Sequence, residues 1–199
     1  AFPGVQALDN VDFDLYPGEV HVLVGENGAG KSTLMKILSG AYERDAGQII
    51  IDGAVQQQWS PALSRQCGVG MVYQEFTLVP YRSVAENVFL GRERLRGGIL
   101  LDKSAMHKAT YEQMEAIGVA VDTHLPIAQL GVAQQQMVEI AKALALNVRI
   151  LVLDEPTSAL TVREIEQLFN AVRRLKARGV GIIYISHRLE EIALIGDRV

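Results

Sequence analysis

A chain of 199 residues can bury one substantial core, with room for a smaller subdomain, but is too short for two full domains. The 19 basic and 23 acidic side chains leave a net charge of −4 with no long run of Lys or Arg, which disfavours nucleic acid as the main partner. A single cysteine, Cys67, excludes an internal disulfide and reads as a small, partly buried apolar residue; no stretch approaches the roughly 20 apolar residues of a membrane-spanning helix, and the opening AFPGVQALDN lacks the basic and apolar regions of a signal peptide.

Along the chain, apolar strand-like runs alternate with helical patterns, which predicts an α/β fold with a parallel sheet and crossover helices. EVHVLVG, residues 19–25, is a buried strand following the turn at Pro17 and Gly18, and a helix over 31–38 comes next. GQIIIDG at 47–53 and CGVGMVYQ at 67–74 read as further strands. Between Gln74 and Leu130 the pattern is mostly helical, with Met106, Ala109, Gln113, Met114 and Ile117 at helix spacing, so this interval reads as a helical subdomain inserted into the core. RILVLDEP at 149–156 is almost wholly apolar up to Leu153, as expected of a strand covered on both faces. Thr161 and Glu164 have capping-box spacing; Ile165, Leu168, Phe169, Val172 and Leu175 then line one helical face until Gly179, and VGIIYIS at 180–186 returns as a strand.

The chemistry is most explicit in GENGAGKST, formed by Gly25, Glu26, Asn27, Gly28, Ala29, Gly30, Lys31, Ser32 and Thr33. The spacing G-x-x-x-x-G-K-[ST] between a strand and a helix makes a phosphate cradle: glycines let backbone N–H groups curl around phosphate oxygens, and the helix start adds partial positive charge. Lys31 can reach the β and γ phosphates, and the Ser32 hydroxyl can ligate Mg²⁺. Asp154 and Glu155 end a buried strand, where ligands of doubly wound sheets collect; Asp154 would hold Mg²⁺ through its water shell and Glu155 would polarise an attacking water. Together the two motifs point to nucleoside triphosphate hydrolysis.

In their order along the chain these residues resemble the ATP-binding cassette (ABC) ATPases: the phosphate loop, Gln74 after a strand, LGVAQ at 130–134, Asp154 and Glu155, SALT at 158–161, and His187 ending a strand. The resemblance implies a P-loop NTPase core with a mainly parallel sheet, an antiparallel β subdomain and an inserted helical subdomain over 75–147, within one ATP-binding domain spanning 1–199. It implies ATP and Mg²⁺ as cofactors, Gln74 as a contact to Mg²⁺ and the catalytic water, His187 as a γ-phosphate contact, and Phe2 as the ring stacked on adenine. The remaining histidines, His21, His107 and His124, match nothing in the family pattern and read as structural or solvent-exposed. Phe76, Pro80, Tyr81 and Arg82 fall where the family docks its membrane partner.

VGENGAGKSTLMKILSGAY, MVYQEFTLVPYRSVAENVFLGRE and QQQMVEIAKALA are similar to the first cassette of tandem ATPases that energise bacterial monosaccharide importers of the ribose, galactose and xylose type. That resemblance implies a second cassette, transmembrane permease subunits and, indirectly, a solute-binding protein as partners, at the cytoplasmic face of the bacterial inner membrane. It also implies that the family's opening strand precedes Ala1 and further strands follow Val199. Nucleoside importers are close neighbours. A soluble cassette ATPase acting on DNA or ribosomes would want a basic face or a long coiled-coil insertion, and a scaffold with little catalysis would not need Lys31, Asp154, Glu155 and His187 together. The family pattern at LGVAQ is L-S-G-G-Q, and the sugar-importer branch carries L-S-V-G-Q, so Val132 matches that branch while Gly131 and Ala133 depart. The segment faces the partner cassette's nucleotide, so weaker capture is expected there, with the serine hydroxyl lost at Gly131 and the Ala133 Cβ hindering close backbone approach.

Overall fold

The apolar runs at 19–25, 67–74, 149–156 and 180–186 come together in one sheet. The computed structural model describes residues 6–26 and 28–199; Phe2 and Asn27, both predicted site residues, lie outside the described residues. Strands β1 (Val20–Leu23), β4 (Val69–Val72), β7 (Ile150–Asp154) and β8 (Gly181–Ile185) form a four-stranded parallel sheet in the order β1-β8-β7-β4. Alternate residues of the central strands enter different layers. Leu151 and Leu153 of β7 and Ile182 and Tyr184 of β8 join the larger core, while Val152, Ile183 and Ile185 pack with Met35 of helix α1 (Lys31–Leu38) on the other face. Burial on both faces explains why these strands read as continuous apolar runs rather than as an alternating pattern.

The larger core also receives α5 (Val132–Leu144) and α6 (Val162–Ala177). At the start of α6 the Glu164 carboxylate accepts from both the N–H and the hydroxyl of Thr161, at 2.8 and 2.7 Å, so the predicted box spacing does set this boundary. Its predicted face is buried at Leu168, Phe169, Val172 and Leu175 and partly so at Ile165. After β8, α7 (Leu189–Ile195) leads to residues that lie beside the free edge of β1, with Arg198 O accepting from Val22 N–H at 2.8 Å.

Two hairpins depart from the sequence reading. The run at 47–53 contributes only β2 (Ile50–Ile51), because Asp52 and Gly53 take positive φ values of 52° and 76° and turn the chain back into β3 (Ala54–Val55). An Asp-Gly pair is the usual signal for such a two-residue turn. Arg149 then grips Asp52 through both carboxylate oxygens, at 2.6 and 2.5 Å, tying this antiparallel hairpin to the start of β7. The second hairpin, β5 (Leu95–Arg96) with β6 (Leu100–Leu101), interrupts the interval expected to be mostly helical; Gly97 and Gly98, with φ of 63° and 77°, make its turn. The α-helices of that interval are α3 (Val84–Val88) and α4 (Lys103–Ala116), joined by turns and loops, so it is less helical than its pattern predicts; Met106, Ala109, Met114 and Ile117 are buried as their spacing predicts, with Gln113 at the margin. Helix α2 (Pro61–Gln66) precedes β4.

Candidate active site

The parallel register brings four chain-distant positions to one edge of the sheet. Leu23 lies opposite Ile185, Ile185 opposite Asp154, and Leu153 opposite Val72. Gly25, His187, Glu155 and Gln74, each one or two residues past the end of its strand, therefore emerge at the carboxyl ends of neighbouring strands, where ligands of open α/β sheets bind.

Beyond β1 the chain makes the phosphate loop. Gly28 and Gly30 have φ of 87° and 90°, conformations that side chains other than glycine rarely adopt. A Cβ on Gly30 would stand 2.5 Å from the carbonyl oxygen of Ala7, so this glycine is also a close-approach site. Gly30 caps α1 without any side-chain acceptor, leaving the first N–H groups of the helix to another partner. The Lys31 ammonium folds back over the loop, donating to Gly25 O at 2.5 Å and Glu26 O at 2.9 Å, and Ala29 N–H donates to Glu26 O at 3.2 Å. Ser32 is exposed and Thr33 half-buried, and neither side chain is hydrogen bonded to another of the described residues. An uncapped helix start, a cationic side chain and a free hydroxyl suit a polyphosphate with its metal ion.

Asp154 ends β7 half-buried, and burial raises its pKa above the ordinary carboxylate value, with the adjacent Glu155 charge acting in the same direction; Lys31 and Lys36 pull it down. The half-buried Asp154 carboxylate at the strand end and the exposed Ser32 hydroxyl at the start of α1 are both hard oxygen donors of the kind Mg²⁺ takes. Glu155 has φ 46°, a left-handed conformation costing a branched-Cβ-free side chain about 1–2 kcal/mol. It is held there by its N–H donating to Ile185 O at 3.1 Å, across to the next strand. The turn aims its carboxylate at His187, whose Nδ1 lies 3.1 Å from Glu155 Oε1. An ionised carboxylate only accepts, so Nδ1 carries the proton in this pair and Nε2 remains for another partner. Both residues border a cavity of about 340 Å³ that continues along Thr157, Ser158 and Arg188.

The structure thus brings Glu155 and His187 into contact and sets Lys31 near enough to Asp154 to influence its charge. Gln74 is exposed past the end of β4, with no hydrogen bond to either carboxylate among the described residues. In the segment 130–134, Gly131 caps α5, its N–H donating to Gln134 Oε1 at 3.2 Å, and among the described residues no hydrogen bond links the segment to the phosphate loop. Ala133 is only 7% exposed, so its methyl group is largely packed within its own chain. Of the three unmatched histidines, His21 is buried, bonded to Asp14 O at 2.8 Å and stacked on Phe13, while His107 and His124 stack on each other with centroids 3.7 Å apart.

Three supporting residues had no sequence signal beyond being polar on an apolar face. Glu191 is 3% exposed and accepts from Tyr184 Oη at 2.9 Å and Ser186 Oγ at 3.0 Å; Ser186 Oγ in turn accepts from Arg188 N–H at 3.0 Å, and the Arg188 guanidinium lies 2.9 Å from Glu191. The residues on both sides of His187 are thereby held from beneath. Burial, and then the Glu191 charge, push the Tyr184 phenol far above its ordinary value, so it stays a donor. Asn87, fully buried, accepts from Val79 N–H at 2.7 Å and donates to the carbonyls of Val79, Arg82 and Ser83, which shapes the loop after Gln74. Glu139 is the third.

A strand–phosphate-loop–helix unit with strand-end carboxylates defines the P-loop NTPase class. Within that class, the family model described as ABC transporter matches residues 8–158. The ribose import ATP-binding protein RbsA 1 of Rubrobacter xylanophilus is 59% identical over 198 residues, covering 100% of this chain and 40% of that protein. Among solved structures, the ADP conformation of MJ1267, an ATP-binding cassette of an ABC transporter, aligns with a TM-score of 0.86 at 26% identity over 98% of this chain and 81% of its own. A dimeric post-hydrolysis state of the ATP-binding cassette MJ0796, bound to ADP and Pi, aligns with a TM-score of 0.79 at 27% identity, covering 96% and 84%. The chain belongs to the ABC transporter family, with the fold of its ATP-binding cassettes. It spans about 40% of the length of the curated relatives it matches. No helix among the described residues is long and apolar enough to cross a membrane.

Proposed function

We propose that this chain is the ATP-binding and ATP-hydrolysing cassette of a bacterial importer of a small solute, most simply a monosaccharide, acting peripherally at the cytoplasmic face of the inner membrane. The observation that carries the reading is the Glu155–His187 pair at the end of adjoining strands, beside a phosphate loop whose helix start is uncapped. The name of the Rubrobacter relative, a ribose import ATP-binding protein, supports the solute class.

In this reading residues 25–33 wrap the triphosphate, Lys31 leaves its carbonyl partners for the β and γ phosphates, and Phe2 stacks on adenine. Ser32, Asp154 and Gln74 would hold Mg²⁺, which when bound neutralises charge developing on the phosphates. Glu155 orients and polarises the attacking water; His187, fixed through Nδ1, offers Nε2 to the γ-phosphate. The segment 130–134 serves the nucleotide of a second cassette, and closure of the two cassettes drives the permease. Residues 1–199 form one ATP-binding domain, with 75–147 as the helical subdomain that meets the permease through Phe76, Pro80, Tyr81 and Arg82; a solute-binding protein acts on the far side.

The test is Glu155→Gln in the assembled, full-length transporter. Nucleotide binding should persist while turnover falls at least ~100-fold, the usual range for loss of a general base. Wild-type turnover as slow as that of the variant, even in the assembled transporter, would remove the enzymatic reading.

A further inference from the structure

Glu139 lies two turns into α5 and is 5% exposed, a buried carboxylate with no part in the phosphate chemistry. A buried charge persists when it is paired and hydrogen bonded. Here the pairing comes from Thr77, 62 residues away in sequence: its N–H donates to Glu139 Oε1 at 2.6 Å and its hydroxyl donates to the same oxygen at 2.8 Å. Lys142, on the same side of α5, closes the cluster by donating to the Thr77 hydroxyl at 2.8 Å and standing 3.7 Å from Glu139 Oε2. The hydroxyl is thus donor and acceptor at once, which leaves it one orientation.

These three residues line a cavity of about 490 Å³ with Tyr73, Arg65 and Arg92. Arg92 holds the last turn of α5 from the same cavity, donating to Lys142 O at 3.3 Å and Ala145 O at 3.1 Å. Thr77 is three residues past Gln74, and α5 begins at the 130–134 segment. A 13-residue helix spans about 20 Å, so Glu139 and Gly131, the cap of the same helix, sit on one continuous element.

We propose that Glu139 is a positioning residue that makes the segment after Gln74 and α5 move as one body, relaying contact with the permease to the 130–134 segment and so to the partner cassette's nucleotide. This rests on the reading that residues 76–82 meet the permease. It predicts that cutting the clamp uncouples ATP turnover from transport signals without removing docking or the phosphate site.

The experiment uses the full-length transporter in lipid vesicles, with ATP turnover measured without and with loaded solute-binding protein, beside Tyr81→Cys cross-linking to the permease. Glu139→Ala should lower the stimulated rate about tenfold, within the range of typical coupling effects, while unstimulated turnover stays within about twofold and the Tyr81→Cys cross-link still forms. Glu139→Gln keeps an acceptor for both Thr77 donors and should restore most of the stimulation. Adding Thr77→Val to Glu139→Ala should change nothing more, because both act through one contact. Full stimulation in Glu139→Ala overturns the proposal. So does an equal fall of both rates that Glu139→Gln does not repair, which is a folding effect, or loss of the cross-link in Glu139→Ala, which makes Glu139 a docking support. Failure of the cross-link in the otherwise wild-type transporter rejects the docking reading itself, independently of the turnover results.

Discussion

Gly28 and Gly30 offer a controlled pair for asking what the phosphate loop requires of its backbone. Their φ values, 87° and 90°, are nearly equal, so replacing either by Ala carries the same conformational cost, about 1–2 kcal/mol. Their surroundings differ: a Cβ at Gly28 meets nothing within 4 Å among the described residues, whereas at Gly30 it would stand 2.5 Å from Ala7 O and 3.0 Å from Leu8 Cδ2. Overpacking of this kind adds about 1–3 kcal/mol. For a protein of this size each kcal/mol moves Tm by about 2–4 °C. Gly28→Ala should therefore melt about 2–8 °C below the wild type, and Gly30→Ala a further 2–12 °C or so lower. Thermal melting of the purified protein reads the stability term, and titration with a fluorescent ATP analogue reads the site, where Gly30→Ala should weaken binding more because it displaces the residue next to Lys31. If Gly30→Ala melts with or above Gly28→Ala, the close approach to Ala7 is not a constraint on the loop.

Asp154→Asn should raise Tm in the absence of nucleotide and metal while abolishing Mg²⁺-dependent ATP binding. The raised pKa of Asp154 means its charge costs stability at neutral pH; that cost fades as pH falls through the raised value toward 3.8, so the gain of the variant in melting scans should shrink on acidification. Asn87→Ala strips the acceptor from Val79 N–H and the donor from three carbonyls, and should cost about 1–3 kcal/mol in urea unfolding, with faster amide exchange confined to 79–83; uniform exchange throughout would count against a local role. Gly131→Ser supplies the hydroxyl missing from the Gln134 half-box and should add a few tenths of a kcal/mol, whereas Ala133→Gly removes a buried methyl within α5 and should cost about 0.5–1 kcal/mol. Both substitutions should alter turnover at the partner's nucleotide; an effect confined to this chain's own site would contradict the assignment of 130–134.

Much of the site was legible because its chemistry is written in short contiguous strings. The phosphate loop needs glycines where φ is positive, a lysine and a hydroxyl at set spacing, and the carboxylates follow a run apolar enough to be a central strand; each is a local pattern. The same holds for α1, whose bounds match the predicted 31–38, and for α6, which begins at its Thr161–Glu164 spacing. The hairpin turn at Asp52 and Gly53 was equally local, yet the flanking isoleucines hid it, since an apolar run reads as one strand unless the turn signal within it is weighed.

The sequence by itself determined the central strands, helices α1 and α6 and the phosphate-loop motif, because strand burial, helix periodicity and phosphate binding all follow from spacing over a few residues. Only the tertiary structure decided what stands beside what. Parallel register set Glu155 against His187, 32 residues apart; packing turned the Ala133 methyl inward; and the clamp of Thr77 on Glu139 joined segments 62 residues apart. No periodicity encodes such pairs: a buried polar side chain takes whatever partner the assembled chain brings within hydrogen-bonding distance, and that partner is chosen by the whole fold.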